Sequence, residues 1–300
     1  MPLEPDTFNE LVQRSVAGPD MAHLVDVIQK ELLHYDVLAC MARSGFLGNL
    51  VFQGGTALRL CHGAPRYSED LDFATAPGFN VEALATFNAR IESRMAQRYG
   101  LPARLKAPKI RHLETQGAQV VVHRWQLVVD TAPDRPDLPS QRVKIEVAEV
   151  PAHTSEPRRL RRNYEHLPDG YENILLSVET LREIMADKLI ALPGSHAAGR
   201  TRNKDIWDLY WLSGKGVTPA PDLIAAKASD YALDDYADMI EQTLADLPAL
   251  LGGEGFRATM QAFLDVQAFN ETFGSSQFSS HLASVMQELL GQAKAIAFDR

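Results

Sequence analysis

Two adjacent glycines, Gly54 and Gly55, stand between a short apolar run, Leu50-Val51-Phe52, and the stretch Thr56-Ala57-Leu58-Arg59-Leu60, where apolar spacing becomes helical. The pattern reads as strand, tight glycine turn, helix. Such a turn lets backbone come close to a phosphate, and the succeeding helix aims its first amide groups at the same anion. The dipeptide serves equally as an ordinary strand-to-helix turn. An acidic pair downstream narrows the choice, because Asp70 and Asp72 lie two apart at the head of the apolar segment Leu71 to Thr75. On a strand, residues two apart share a face, so both carboxylates can converge on one point. Two hard oxygen donors beside a turn suited to a triphosphate are what Mg²⁺ or Mn²⁺ requires, with phosphate oxygens and water completing the shell. A solvated strand end is the other use of such a pair.

The flanking sequence supplies a frame for this centre. Leu24, Val25, Ile28, Leu32, Leu33, Val37 and Leu38 recur at helical spacing between Asp20 and Ser44, and the stretch Gly45 to Asn49 ends that helix. Val81 to Tyr99 reads as a surface helix. Gln119 to Val129 and Arg142 to Val150 alternate as strands, with Pro133, Pro136 and Pro139 marking the loop between them. After Pro151 the composition shifts, and beyond Ser177 the pattern is helical, with breaks expected at Pro193-Gly194, Gly214 to Pro221 and Leu251 to Gly255. With 300 residues, 45% of them hydrophobic, there is enough apolar material for a sizeable core. The expected fold is α+β: a mixed sheet with helices over residues 1–176, then a helical part over 177–300 that contributes lysine and aspartate to the site.

Within the strand 142–150, polar Lys144 and Glu146 alternate with apolar Ile145 and Val147, which makes Glu146 either a third metal-binding acid or a solvent-facing edge residue. Glu149 falls on the opposite parity. In TLREIMADKLIAL, Lys188 projects from or beside an apolar stripe formed by Leu181, Ile184, Met185, Leu189 and Leu192. A buried ammonium is costly without a counter-charge. A bound triphosphate or a carboxylate of the site would supply one, unless the lysine snorkels to the surface. Next, RTRNKDIWDLYWL sets Arg202, Asp205 and Asp208 on one side of a helix, the two aspartates three apart and hence neighbours. They either position Lys188 or a substrate hydroxyl, or cap the helix and pair at its surface.

The net charge of −9 argues against non-specific coating of nucleic acid, while leaving room for local patches such as Arg158, Arg159, Arg161 and Arg162, or Arg200, Arg202 and Lys204. Such runs are commonly solvated surface. Met1 to Glu4 carries no basic patch ahead of an apolar run, and no segment approaches the roughly 18 apolar residues of a membrane span, so a cytoplasmic protein without a membrane partner is expected. Cys40 and Cys61 match neither a disulfide framework nor a zinc site and read as small core residues.

Together these motifs resemble the AbiEii/AbiGii (MenT-type) toxin family, a branch of the DNA polymerase β-like nucleotidyltransferases, over most of residues 50 to 212. GGTALR is similar to the family's glycine motif, RYSEDLDF to its R-x-S-x-D-x-D-F motif, VKIEV to its third-acid strand, and ADKLIAL with RNKDIWDL to its lysine and aspartate motifs. The order of the four motifs is more specific than any one. The resemblance implies transfer of NMP from an NTP to an acceptor, with Asp70 and Asp72 on the metals and Glu146 as third ligand where relatives usually carry Asp. It assigns Gly54, Gly55, Thr56, Arg59, Arg66, Ser68, Lys188 and Arg202 to the nucleotide, Lys188 to its triphosphate, and Asp205 or Asp208 to a catalytic or structural position. Characterised toxins of this kind block growth, some by extending the 3′ end of tRNA, and are restrained by a cognate antitoxin. Here that implies tRNA as acceptor and an antitoxin protein as partner. A phosphate on Ser68, two residues before Asp70, would place roughly −1.5 to −2 charges beside the metal carboxylates and oppose NTP binding. Two other readings stay open: a nucleotidyltransferase acting on a small molecule, as antibiotic-modifying relatives do, and a catalytically silent nucleotide-binding or protein-binding module.

Overall fold

In the computed structural model, which describes residues 7–16, 18–80, 85–115 and 118–298, a seven-stranded mixed sheet runs in the order β3-β4-β5-β2-β1-β7-β6. Its strands are β1 (Val51–Gln53), β2 (Asp70–Ala74), β3 (Ala103–Thr115), β4 (Ala118–Val129), β5 (Gln141–Ala148), β6 (Glu156–Arg159) and β7 (Leu175–Val178). Helices α1 (Phe8–Ser15), α2 (Val25–Arg43), α3 (Gly54–Ala57) and α4 (Ala85–Tyr99) belong to the sheet half. The second half holds helices α5 (Leu181–Ala197), α6 (Asn203–Gly214), α7 (Pro221–Asp230), α8 (Tyr236–Gly252), α9 (Glu254–Phe263), α10 (Val266–Phe273) and α11 (Phe278–Phe298). The architecture is α+β, as expected. Met1 to Glu4, and Val81 to Leu84 of the expected helix 81–99, lie outside the described residues.

Alternation in the strands decides which face of the sheet is covered. Val143, Ile145 and Val147 of β5 are buried, as are Leu71 and Phe73 of β2 and Trp125 and Leu127 of β4, and this apolar face packs under α2 and α4. Lys144, Glu146, Asp70 and Asp72 take the other parity and stay partly accessible. A half-covered sheet whose neighbours are mostly antiparallel tolerates this arrangement because its second face can meet water or a ligand. Cys40 and Cys61 are free and buried in the core.

The glycine turn is tighter than its sequence suggests. Helix starts at Gly54 itself, continues as one wide turn over Leu58–His62, and ends at Gly63 in the left-handed conformation. Alternation reveals β4 and β5, and the apolar runs beside the glycines and the acidic pair reveal β1 and β2. The other three strands are not legible in that way. β6 and β7 are only four residues long, and β3 carries charged residues on both parities until a bulge between Lys106 and Lys109 is known. The Arg158–Arg162 run is partly β6, where Arg158 turns back onto Glu156. β7 straddles residues 176 and 177, where the sequence pattern is expected to turn helical, and one apolar core extends from Phe8 to Ala293.

Helix α5 passes through Pro193, where the sequence predicts a break. Proline removes the N–H that would bond the carbonyl of Leu189 one turn earlier. Tyr236, at the start of α8, donates its hydroxyl to that carbonyl at 3.1 Å, so the orphaned acceptor is satisfied across the helix pair. Tyr236→Phe leaves it buried and unpaired. The expected loss is about 1–3 kcal/mol, read as a lower urea midpoint with unchanged m-value.

Candidate active site

The register of four strands assembles the acids. Asp72 pairs with Glu146 across β2 and β5, Glu146 with Arg124 across β5 and β4, and Asp72 with Gln53 across β2 and β1, so Arg124, Glu146, Asp72 and Gln53 form one row on the open face. The next row sets Asp70 beside Lys144 and Gln126. Lys144 Nζ lies 3.4 Å from Asp70 Oδ2, and the Arg124 guanidinium pairs with Glu146. Burial and crowding both act on Asp72. Burial, then the charges of Glu146 and Asp70, push its carboxyl up to about 7, with Lys188 and Arg202 only partly offsetting them.

Gly54 has φ +75, and a Cβ there would come within 3.0 Å of Asp72 Oδ2. At Gly55 a Cβ would meet Arg66 Nη2 at 2.5 Å and Ser68 Oγ at 3.0 Å. Both glycines therefore let the segment 66–72 lie directly on the turn. Thr56 is buried, and its hydroxyl donates to the carbonyl of Asp70, fastening the helix start to the strand that carries the acids.

Behind them lies a buried ion network. Arg66 forks onto Asp208, Nε to Oδ1 at 2.8 Å and Nη2 to Oδ2 at 2.6 Å. Lys188 Nζ sits 2.8 Å from Asp205 Oδ1 and 2.7 Å from Asp208 Oδ2, and Arg202 closes onto Asp205. Lys188, Arg66, Asp205 and Asp208 are all buried. Burial disfavours the Lys188 charge, but the two aspartates more than compensate and raise its pKa. Burial likewise opposes the Asp205 carboxylate, which Lys188 and Arg202 hold well below the usual range. Lys188 does not snorkel, and the aspartate pair is not a surface pair.

A cavity of about 350 Å³ opens over this assembly, bounded by Gly54, Gly55, Ser68, Asp70, Asp72 and Lys188 among others. Arg66, Arg202 and Asp205 also line it, while Glu146 lines a second cavity, of about 890 Å³, which shares Gly54, Asp72 and Lys188 with the first. Arg59 lies outside both. It forks onto Glu31, donates to the Pro65 carbonyl and covers the Tyr67 ring at 4.0 Å, supporting the chain before Arg66 from behind. Sequence reasoning leaves Glu69, Thr201, Asn203 and Thr259 unassigned and Lys204 in a surface patch, yet all line the first cavity. Glu69 accepts from Lys30 at 2.6 Å and Lys204 at 2.7 Å, which overcome its burial and hold its carboxyl at about 2. Only the position of Glu69 between Ser68 and Asp70 could have marked it beforehand.

The tightest convergence of acids lies elsewhere. Among the described residues, Glu179, Glu183 and Asp187 alone bring three acid oxygens within 4.8 Å of one another, and Lys227 Nζ occupies the centre at 3.3, 2.8 and 2.9 Å. That cluster holds its own cation. The Asp70, Asp72 and Glu146 set is looser and open to cavities, Asp70 to the first, Glu146 to the second and Asp72 to both, and its oxygen donors suit a hard divalent ion.

In the metal-free chain the folded state holds the Asp72 proton up to about pH 7, whereas the unfolded chain releases it near the ordinary carboxyl value. Stability therefore falls as pH rises from about 4 towards 7, the folded state binding more protons over that range. Asp72→Asn removes the penalty. In EDTA at pH 8 it is expected to gain on the order of 1 kcal/mol, ~2–4 °C in melting temperature by calorimetry, and to flatten the pH profile.

A family profile described as "Nucleotidyl transferase AbiEii toxin, Type IV TA system" matches residues 36–284. No curated protein matches the chain. Among solved structures, a candidate nucleotidyltransferase from H. pylori is 19% identical with a TM-score of 0.44, over 90% of this chain and 97% of the other. JHP933 from Helicobacter pylori is likewise 19% identical, with a TM-score of 0.39, over 91% and 92%.

Proposed function

Because the chain belongs to the AbiEii family of nucleotidyltransferase toxins of type IV toxin–antitoxin systems, we propose that the turn at Gly54-Gly55 and the acids of β2 form its NTP site, and that it transfers NMP to the 3′ end of tRNA, as the resemblance to the MenT-type toxins implies. The observation that carries this reading is the meeting of Asp70 and Asp72 with Gly54, Gly55 and Lys188 around one cavity.

Asp70 and Asp72 would hold Mg²⁺ or Mn²⁺, with Glu146 as third donor once it leaves Arg124. When bound, such ions lower the pKa of the attacking hydroxyl and stabilise departing pyrophosphate. The amide groups at the head of α3 face the phosphates. Lys188 and Arg202 supply positive charge at the cavity wall, and Asp205 and Asp208 fix where that charge stands; Arg66 is a positioning residue, locked to Asp208 behind Gly55. Thr56 ties the turn to Asp70, and Arg59 braces the segment leading into Arg66. The division at 176/177 is then one of function, the sheet half supplying the acids and the helical half the lysine and its aspartates. An NTP donor and a tRNA acceptor meet in the cytoplasm; among the described residues no helix is long and apolar enough to cross a membrane.

Incubation with each α-labelled NTP, Mg²⁺ and purified tRNA is expected to label a band of tRNA size with one preferred nucleotide, and Asp70→Ala to lose at least 10³-fold in rate, the ~4 kcal/mol scale of a lost transition-state contact. Label confined to small molecules assigns the acceptor to that class, and an Asp70→Ala variant as toxic as the parent removes the enzyme reading of the toxicity.

Restraint by the cognate antitoxin belongs to the same proposal. Ser68 lines the cavity with Asp70 and Asp72, so a phosphate on its hydroxyl would bring roughly −1.5 to −2 charges to the acids and repel a triphosphate. Intact mass after co-expression with the neighbouring gene is expected to show one added phosphate on inactive protein; inactive protein of unmodified mass excludes this route.

A further inference from the structure

The open face of the sheet carries a charge pattern that the acids do not explain. Arg104, Lys106, Lys109 and Arg111 occupy β3, and the pairing register sets them in rows with Val128 and Arg142, with Gln126 and Lys144, with Arg124 and Glu146, and with Val122 and Ala148. Alternation alone would send Arg104 and Lys106 to one face and Lys109 and Arg111 to the other. The bulge between Lys106 and Lys109, at Ala107-Pro108, inserts one residue and reverses the parity, so all four share the face of Asp70 and Asp72. Proline fits there because β3 is an edge strand.

Seven cations, Arg104, Lys106, Lys109, Arg111, Arg124, Arg142 and Lys144, thus stand against a single acid, Glu146, on the described β3–β5 part of this face. Arg104, Lys106, Lys109, Arg111 and Arg142 are exposed, and among the described residues no acid pairs with any of them. The chain as a whole carries −9. Charge on an edge strand also blocks pairing with a neighbouring sheet, but that need is met by either sign and by one strand. Cations spread over three strands and graded towards carboxylates at β2 answer a different need. With strands ~4.8 Å apart, the row from Lys109 through Arg124 and Glu146 to Asp72 spans about 14 Å, and β3 from Arg104 to Arg111 extends roughly 20 Å. At its inner end the strip meets the larger cavity, which Val122, Glu146 and Ala148 line on the sheet side and Ile184, Tyr231 and Met239 on the helical side.

We infer that this strip is the docking track for the phosphate backbone of the RNA acceptor, laid across β3 and β4 so that its 3′ end enters the larger cavity beside Asp72. The inference rests on the reading that the acceptor is RNA. Phosphate contacts fix register without reading bases, which suits a surface made of flexible cations and few hydrogen-bonding side chains. Such binding is salt-dependent, each neutralised phosphate adding about 0.7–0.9 to the slope of log K against log[salt].

The test uses the full chain, end-labelled total tRNA, EDTA and no NTP, with affinity followed by anisotropy from low to moderate salt. Replacing Arg104, Lys106, Lys109 and Arg111 together by Ala is expected to weaken binding at least tenfold at low salt and to make the slope shallower by about three. The charge-preserving set Arg104→Lys, Lys106→Arg, Lys109→Arg and Arg111→Lys keeps both near the parent. In the transfer assay the alanine set raises KM for tRNA and leaves kcat and the KM for NTP unchanged, a split that general damage to the fold would not give. Parent protein that labels tRNA while the alanine set does so with the same KM and the same salt slope overturns the track, leaves the acceptor assignment standing and gives the face to an acidic protein partner. Parent protein that labels no RNA overturns both. Loss of affinity in the charge-preserving set as well overturns an electrostatic track.

Discussion

The sheet half and the helical half of the site are tied together by one set of buried charges. Arg66 comes from the segment just before β2, Lys188 from the middle of α5, and Asp205 and Asp208 from the first turns of α6, so the network joins three parts of the chain that share no strand pairing with one another. Taking such charges out of water is expensive, and removing one partner from a set already buried costs about 3–5 kcal/mol because the remaining charge is stranded. The geometry is therefore strongly specified: Asp208 is shared between Arg66 and Lys188, and Lys188 between Asp208 and Asp205. Each contact limits the freedom of the next. The result is a cation held at a fixed place on the cavity wall, one that needs no reorganisation to meet an anion there.

The glycine turn is the complement of this network. Gly55 is bare because Arg66 occupies the space of a side chain, and Gly54 is bare because Asp72 does. A turn that exposes backbone amides to an anion is also one against which a guanidinium and a carboxylate can be pressed, and both uses arise from the missing Cβ. Asp72 pays for its place in its own electrostatics, burial and the charges of Glu146 and Asp70 holding it protonated well above the ordinary carboxyl range. A carboxyl displaced this far beside a cavity is the kind of group that marks candidate functional sites. By contrast, the three acids around Lys227 already share its ammonium, which is why tighter convergence does not make them the better candidate.

Charge on the sheet extends the logic outward. The apolar face is closed by α2 and α4, leaving the other face free to grade from exposed arginines and lysines on β3 to the carboxylates on β2. A molecule with an overall negative charge gains a locally attractive surface in this way without becoming a general binder of nucleic acid.

The local pieces are legible in the amino-acid order alone. The glycine pair, the two-residue spacing of Asp70 and Asp72, the parity of Glu146 against Ile145 and Val147, and the intrusion of Lys188 into an apolar stripe are all short-range patterns, because strand and helix periodicities act over a few residues. Tertiary structure decided which pieces meet. The pairing of Asp72 with Glu146, the fork of Arg66 on Asp208, the return of Lys204 to Glu69 and the rescue of the Leu189 carbonyl by Tyr236 all join residues 47 to 142 positions apart, or strands whose order in the sheet is not their order in the chain. The short strands β6 and β7 were silent for the same reason: four residues carry too little periodicity, and their pairing comes from neighbours brought in by the fold. A single inserted residue in β3 then turned two pairs of cations onto one face, a change that alternation cannot register because a bulge shifts its phase.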